Sequence, residues 1–436
     1  MLNTFHPADR QIAAVALPAF VALVAEPAML LADTVIVGRL GTAPLAGLAV
    51  ASSVLLTVVG LCVFLAYATT AGVGRRHGAG RLAEAYVDAM GGVWLAAALG
   101  IVIGAGLAIG AETVAGAFTS SPAVVDEAAA YLRISAAAAP AMLVMLAATG
   151  ALRGVLDLRT PLVVAVWANL LNAALSIWFV HGLGWGIQGA AIGTVIAQSA
   201  AAAWLVAVLV RGARRAGADL RPRIGHVLRA ARDGAPLLAR TATLRVALLL
   251  AVALAAQVGD APLAAHQIAT TLVSFLAFAM DAVAIAGQTL TGRALGAGDA
   301  GQARALTRRM IGWGLWGGLA AGLLLAALAP FLGPWFTPDP AVHQALVPAL
   351  LVVAAVQPVS GLVFVLDGIL IGAGDGVYLA WAGLLTLVIY APVATGAVAL
   401  GTGLIGLWAA YGVLQLARLA TLWWRQRSDA WLVLGA

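Results

Sequence analysis

The sequence predicts an all-α polytopic membrane protein whose twelve transmembrane helices form two six-helix bundles. Three observations support this prediction: the composition, the length of the apolar segments and an internal repeat. Hydrophobic residues make up 63% of the 436 residues and charged residues only 10%, which the surface of a water-soluble protein could not accommodate. Most apolar segments exceed the roughly 20 residues that cross a bilayer as a helix.

Twelve apolar segments follow one another along the chain, separated by short polar or glycine-rich stretches. An arginine-rich stretch divides them into an N-terminal lobe (1–212), a cytoplasmic linker (213–233) and a C-terminal lobe (234–436). The predicted spans are 11–38, 44–73, 85–110, 125–152, 161–180, 186–210, 234–258, 262–291, 310–332, 344–371, 377–400 and 403–424.

The distribution of arginine predicts the orientation of the spans. All 24 basic residues are arginine, and 19 of them fall in the termini and connections of one side. Because positive charge accumulates on the cytoplasmic side, both termini are expected there. The use of arginine without lysine, with abundant alanine and glycine, is typical of a GC-rich bacterial gene, so we expect a bacterial inner membrane. Arg240 and Arg418 lie near cytoplasmic ends of spans and are expected to extend toward water. The short connections leave no room for a nucleic-acid-binding domain.

The two halves of the chain repeat one another. GTAPLAGLAVA (41–51) returns as GDAPLAAHQIA (259–269), GRRHGAG (74–80) as GRALGAG (292–298), and RGVLD (153–157) as IGAGD (371–375). Each pair is offset by 218 positions, half the chain length. Six helices per repeat give both halves the same orientation, so the sequence predicts a pseudo-two-fold axis along the membrane normal.

Two acids lie inside the first apolar segment. A charge at the bilayer centre costs roughly 2.5–3.5 kcal/mol, so intramembrane acids are rare and usually functional. Glu26 and Asp33 are seven residues apart, on one helical face, and Pro18 and Pro27 allow the same helix to bend. We therefore expect a proton- or cation-coupling site. The alternative is a solvated structural carboxylate, because Gly38 ends the segment soon after Asp33.

Polar residues also form stripes on the fifth and sixth spans. Asn169, Asn172 and Ser176 share one helical face, and Thr194 and Gln198 share another. One interpretation is a polar pocket that holds the coupling ion together with Asp33. The other is interhelical hydrogen bonding without a transport role, worth about 0.6 kcal/mol per bond.

The second half contains a different set of intramembrane polar residues. Asp281 and Gln288 lie on one face of the eighth span, Asp367 in the tenth and Arg245 deep in the seventh. They are candidates for lining a substrate cavity, with a purely structural pairing as the alternative. The sequence has no metal-ligand spacing, no nucleophile–base pattern and no cofactor motif, so we expect a transporter and not an enzyme.

These motifs resemble the multidrug and toxic compound extrusion (MATE) transporters, and within them the DinF-like branch. The resemblance covers nearly the whole chain and rests on ADTVIVGRLGTAPLAG (32–47), LRGVLDLRTP (152–161), GWGIQGAA (184–191), LAAHQIA (263–269) and DGILIGAGD (367–375). It implies a MATE fold and export of organic, cationic or amphipathic compounds by alternating access, driven by H⁺ or Na⁺.

The resemblance also implies roles for individual residues. The coupling acid of the first helix falls on Asp33, the bending proline on Pro18, and polar partners on Asn172 and Thr194. DinF-like members often carry a second acid where this chain has Ser176, and Glu26 is our candidate replacement. We expect a monomer in the lipid bilayer, with small organic molecules as its other partners. The alternative function is a lipid-linked precursor flippase of the same superfamily.

Overall fold

The computed structural model describes residues 7–435, apart from the side chain of Glu26, and confirms the all-α membrane fold. Twelve helical segments in this range are long and apolar enough to cross a membrane. Residues 7–435 form fourteen α-helices, because two of these segments each contain two helices: α1 Pro7–Gly38, α2 Thr42–Leu61, α3 Phe64–Gly78, α4 Leu82–Gly116, α5 Pro122–Ser135, α6 Ala139–Gly154, α7 Arg159–Ile177, α8 Gly186–Arg215, α9 Ile224–Val258, α10 Asp260–Gly296, α11 Ala300–Phe336, α12 Pro340–Gly372, α13 Gly376–Ala399 and α14 Gly403–Arg427.

Most helices run past the predicted ends of their spans. One of the two largest differences is at the arginine-rich linker, where α8 continues to Arg215 and α9 already begins at Ile224. The non-helical connection is therefore only residues 216–223. Within it, Asp219 accepts hydrogen bonds from the backbone N–H of Arg221 (3.0 Å) and from Nη2 of Arg223 (2.7 Å). These groups lower the pKa of the Asp219 carboxyl below its ordinary value.

The repeat found in the sequence also appears in the backbone. Helix ends at Thr42 and Asp260, and at Gly154 and Gly372, are each 218 positions apart. The turns repeat at the same offset: Gly80 (φ 75°) corresponds to Gly298 (φ 77°), and Leu156 (φ 65°) to Gly374 (φ 76°). Left-handed backbone favours glycine, so Leu156 is the strained member of its pair.

Glycines bring helices into backbone contact at equivalent places in both repeats. A side chain at Gly104 of α4 would collide with the carbonyl oxygen of Ala136, between α5 and α6. One repeat later, a side chain at Gly322 of α11 would collide with the carbonyl oxygen of Ala354 in α12. Small residues permit such close approach in membranes, where packing holds helices together. These contacts fix α4 against the fourth span and α11 against α12.

The chain folds into two compact units. The N-terminal unit comprises residues 21–235, and the C-terminal unit comprises residues 236–436 together with residues 1–20. The second boundary lies close to the predicted end of the linker. In contrast to the predicted lobe 1–212, however, the start of α1 groups with the C-terminal unit. Both α1 and α9 therefore begin in one unit and end in the other.

Each unit has its own apolar core. In the N-terminal unit the ends of α1 and α5, together with α2, contribute buried side chains that include Val37, Leu132 and Leu48. In the C-terminal unit the core includes Leu346 and Trp408. The candidate site described next lies in the N-terminal unit, beside the first of these cores.

Candidate functional site

Asp33 is a buried carboxylate near the end of α1. The residue is only 3% exposed, and the hydroxyl of Ser176 in α7 lies 3.4 Å from its Oδ1, donating a long hydrogen bond. The sequence left open a solvated carboxylate at a helix end. The structure instead buries Asp33 among protein side chains.

Asn172 and Thr194 connect α7 to α8 next to Asp33. The Asn172 side chain is fully buried, and its Nδ2 donates to Oγ1 of Thr194 at 2.9 Å. That hydroxyl in turn donates to the carbonyl oxygen of Ala190 at 3.1 Å. The other amide atom, Oδ1 of Asn172, is buried and has no hydrogen-bond partner within the described part of the chain. Asn172 lies one helical turn before Ser176, whose hydroxyl bonds Asp33.

Tyr131 is a site residue that the sequence analysis missed. It lies in α5, is 3% exposed, and its phenol is close enough to Asp33 to interact electrostatically. The phenol also lies beside the hydroxyls of Thr194 and Ser135. The i, i+4 spacing of Tyr131 and Ser135 in an otherwise apolar segment was the signal that could have identified this third polar stripe.

These residues form one polar cluster: Asp33, Tyr131, Asn172, Ser176 and Thr194. In this cluster the described partners of Asp33 are neutral, and no arginine among the described residues is hydrogen-bonded to it. Ionised Asp33 therefore places a negative charge in a buried site. A proton on the carboxyl group removes this charge, and hydroxyl oxygens can accept the carboxyl hydrogen. A small monovalent cation would instead combine Asp33 with neutral oxygens. The described residues contain no group of three His, Cys, Asp or Glu side chains suited to a metal ion.

Two amides hold the middle of α1 against the following helices. Nδ2 of Asn169 in α7 donates to the carbonyl oxygen of Ala25, and Nε2 of Gln198 in α8 lies 3.9 Å from the sulfur of Met29. The helix is continuous through Pro18 and Pro27, the two predicted bending residues. Proline lacks the N–H that would bond one turn back, so α1 can bend at either position. The side chain of Glu26, the second predicted acid, lies outside the described residues.

Asp367 in the C-terminal unit has a contrasting environment. It is 5% exposed and accepts two hydrogen bonds from Arg240, one of them from Nε at 3.0 Å. Nη2 of Arg418 donates to the same carboxylate at 3.1 Å. The expectation that Arg240 and Arg418 extend toward water was wrong, because pairing with a buried carboxylate compensates the cost of burying their charge. An arginine pair thus accompanies this acid.

The other candidates for lining a substrate cavity, all in the second half of the chain, differ in exposure. Arg245 and Asp281 are half-buried, whereas Gln288 is 2% exposed. Asp281 and Gln288 share a face of α10, as their spacing predicted. Cavity lining by Arg245, Asp281, Gln288 and Asp367 stays a prediction.

Comparisons with known proteins agree with this architecture. The chain is 33% identical to Protein DETOXIFICATION 44, chloroplastic, of Arabidopsis thaliana over 97% of its own length and 84% of that protein. It is 30% identical to DNA damage-inducible protein F of Escherichia coli, over 67% of this chain and 65% of that protein.

Solved structures share the fold at lower identity. A crystal structure of MATE in the bent conformation superposes with a TM-score of 0.89 at 21% identity, over 98% of this chain and 96% of that one. A MOP superfamily transporter from Pyrococcus furiosus superposes with a TM-score of 0.87 at 21% identity, over 97% of this chain and 96% of that one.

The family model MatE matches this sequence twice, over residues 18–178 and 236–395. The two matches begin at Pro18 and Pro236, which are equivalent positions of the repeat. Together they cover most of both halves, including α1 with Asp33 and α7 with Asn172 and Ser176. The chain therefore belongs to the MatE family, the multidrug and toxic compound extrusion transporters.

Proposed function

We propose that this protein exports organic compounds, cationic or amphipathic in character, in exchange for H⁺, with Na⁺ as the alternative ion, and that Asp33 binds the coupling ion. The observation that carries the proposal is the burial of Asp33 beside neutral groups. An isolated ionised carboxylate is costly to bury, so such a group either takes up a proton or binds a cation.

The comparison of the two buried aspartates supports this assignment. Asp367 is held by two guanidinium groups, and protonating it would leave their positive charges uncompensated. Asp33 has the Ser176 hydroxyl as its hydrogen-bond partner, so protonation removes the one negative charge of the described cluster. Of these two aspartates, Asp33 is therefore the one whose charge state can change during a transport cycle.

The cycle follows from competition between the proton and the exported compound for two states of the N-terminal unit. Proton binding at Asp33 removes the cost of burying its charge, and α1 then bends at Pro18 or Pro27 and repacks. This repacking lowers the affinity for the exported compound, which is released on the outer side. Loss of the proton to the cytoplasm restores the first state. The arginine-rich side is cytoplasmic, and the membrane is the inner membrane of a bacterium.

The experiment is transport of the fluorescent cation ethidium in proteoliposomes under an imposed pH or Na⁺ gradient. We expect Asp33→Asn to reduce gradient-driven exchange at least tenfold. The matched control is Asp126→Asn, the same change at an exposed position of α5, which should exchange at the wild-type rate. If Asp33→Asn vesicles still exchange ethidium for H⁺ or Na⁺ at that rate, Asp33 is not the coupling residue. Exchange driven by only one of the two gradients identifies the ion.

A further inference from the structure

Two helices pass from one unit to the other, and they do so at equivalent positions of the repeat. The change occurs in α1 between residues 20 and 21 and in α9 between residues 235 and 236. Pro18 and Pro236 are 218 positions apart and lie within three residues of these boundaries. Each proline removes one backbone hydrogen bond from its helix. Each unit thus contains the first segment of a helix that continues in the other unit.

The first segment of α1 is fixed in the C-terminal unit by charged hydrogen bonds. Asp9 is 3% exposed and accepts from Arg309 at both oxygens, Nε to Oδ1 at 2.7 Å and Nη2 to Oδ2 at 2.6 Å. Nε1 of Trp313, one turn further along α11, donates to Oδ1 at 2.8 Å. Bidentate arginine–carboxylate pairs are among the stronger and more directional side-chain contacts. We call Asp9, Arg309 and Trp313 the α1 anchor.

The first segment of α9 packs closely against α4, where Arg229 and His226 also interact electrostatically with Asp88. In the N-terminal unit the backbone of His226 lies over Gly91 of α4, where an added Cβ would be 3.1 Å from the His226 carbonyl oxygen.

Gly91 and Arg309 are equivalent positions of the repeat, 218 residues apart. The α4 residue that receives the start of α9 is therefore a glycine, whereas its equivalent on α11 is the arginine that binds Asp9. Asp9 itself corresponds to Val227. Within residues 7–435, the bidentate arginine–carboxylate pair at this position is found at the start of α1, the helix that also carries Asp33.

The anchor and the candidate coupling residue lie on one continuous helix. Asp9 and Asp33 are 24 positions apart in the sequence, which corresponds to about 36 Å of α-helix. Pro18 and Pro27 lie between them. A movement of α1 at Asp33 is therefore transmitted to the C-terminal unit only if the start of the helix stays attached to that unit.

We propose that Asp9, Arg309 and Trp313 are positioning residues for transport: they keep the start of α1 attached to the C-terminal unit throughout the cycle, so that bending of α1 links the two units. This inference rests on the proposed ion-coupled export. It predicts that the anchor is needed for coupled exchange and not for binding of the transported compound. It also predicts that the anchor does not open during the cycle.

The first test compares Asp9→Asn and Arg309→Gln with a matched control on the same helix. Arg304 of α11 also pairs with an aspartate, Asp429, at 2.8 Å. Both arginine side chains are about half exposed, but Asp429 is half exposed as well, whereas Asp9 is buried. We expect both anchor variants to bind ethidium within twofold of wild type and to lose at least tenfold in gradient-driven exchange. Arg304→Gln should stay within twofold of wild type in both ethidium binding and gradient-driven exchange. Wild-type exchange in both anchor variants overturns the proposal.

The second test replaces the ion pair with a covalent link. In a Cys62→Ala background, Asp9→Cys and Arg309→Cys are joined by a short bis-maleimide. We expect exchange to be reduced at least tenfold before cross-linking and to recover to at least a third of wild type afterwards. Quantitative cross-linking without recovery overturns the proposal, because the contact would then have to open or to act through its charge.

The two proposals fail separately. If Asp33→Asn exchanges normally while Asp9→Asn does not, the anchor stands and Asp33 is not the coupling residue. If Asp33→Asn is uncoupled while Asp9→Asn exchanges normally, the proposed function stands and the anchor fails.

Discussion

Replacing Thr194 with valine tests the hydrogen bond that joins α7 to α8 in the candidate site. Valine nearly matches the shape of threonine but cannot accept the 2.9 Å bond from Nδ2 of Asn172. Because Asn172 is fully buried and its Oδ1 already lacks a partner among the described residues, the change leaves the amide without a described hydrogen bond. The cost is therefore that of an unsatisfied buried donor in addition to the lost bond.

The size of this effect can be bounded. An unsatisfied buried donor costs about 1–3 kcal/mol, and interhelical hydrogen bonds in membranes average about 0.6 kcal/mol with a maximum near 1.7. We expect Thr194→Val to lower the free energy of unfolding by about 1 kcal/mol. For a unit of roughly 200 residues this corresponds to a melting temperature lower by about 2–4 °C.

The assay is thermal unfolding in detergent micelles for Thr194→Val, Asn172→Ala and the double variant. Thr57→Val is the control, since the Thr57 hydroxyl is exposed and bonds only its own helix, at the Ser53 carbonyl. It should melt within about 1 °C of wild type. The double variant should be less destabilised than the sum of the single ones by about 1 kcal/mol. Additive single effects would refute the reasoning, because the two side chains would then not be coupled.

Two further predictions concern glycines and share the same melting assay. Gly150→Ala should destabilise by about 1–3 kcal/mol, because its new Cβ would collide with the backbone of Ala66, whose Cα would be 2.9 Å away. Gly80→Ala should cost about 1 kcal/mol, since nothing lies within 4 Å but its φ is +75°. Gly106 is helical with nothing within 4 Å, so Gly106→Ala should be neutral or stabilising by up to about 1 kcal/mol. Equal losses in all three variants would contradict both arguments.

The number and order of the spans could be predicted because the length of an apolar segment is a direct consequence of bilayer thickness. The ends of the helices could not, because they are set by local turn residues. Gly217, at φ 69°, follows α8 several residues beyond the predicted span. The 218-residue offset was visible in sequence motifs and is present in the backbone at the same spacing.

The candidate site was predictable only in part. Asn172, Ser176 and Thr194 could be identified because helical periodicity places them on common faces, and the structure brings these three together with Asp33. Long-range pairings leave no such pattern. Asp9 and Arg309 are 300 positions apart, so only the folded chain shows that they meet. The roles assigned to these residues in transport remain predictions.

The glycine contacts within each repeat have a consequence for motion. Where two backbones touch without intervening side chains, as at Gly104 and Gly322, there are no rotamers through which the helices could slide past one another. Such helix pairs behave as stiff elements. By contrast, only 18% of the most apolar stretch of α1 is buried, against 56% of the corresponding stretch of α12. Elastic deformation of this transporter is therefore expected to concentrate in its first helix.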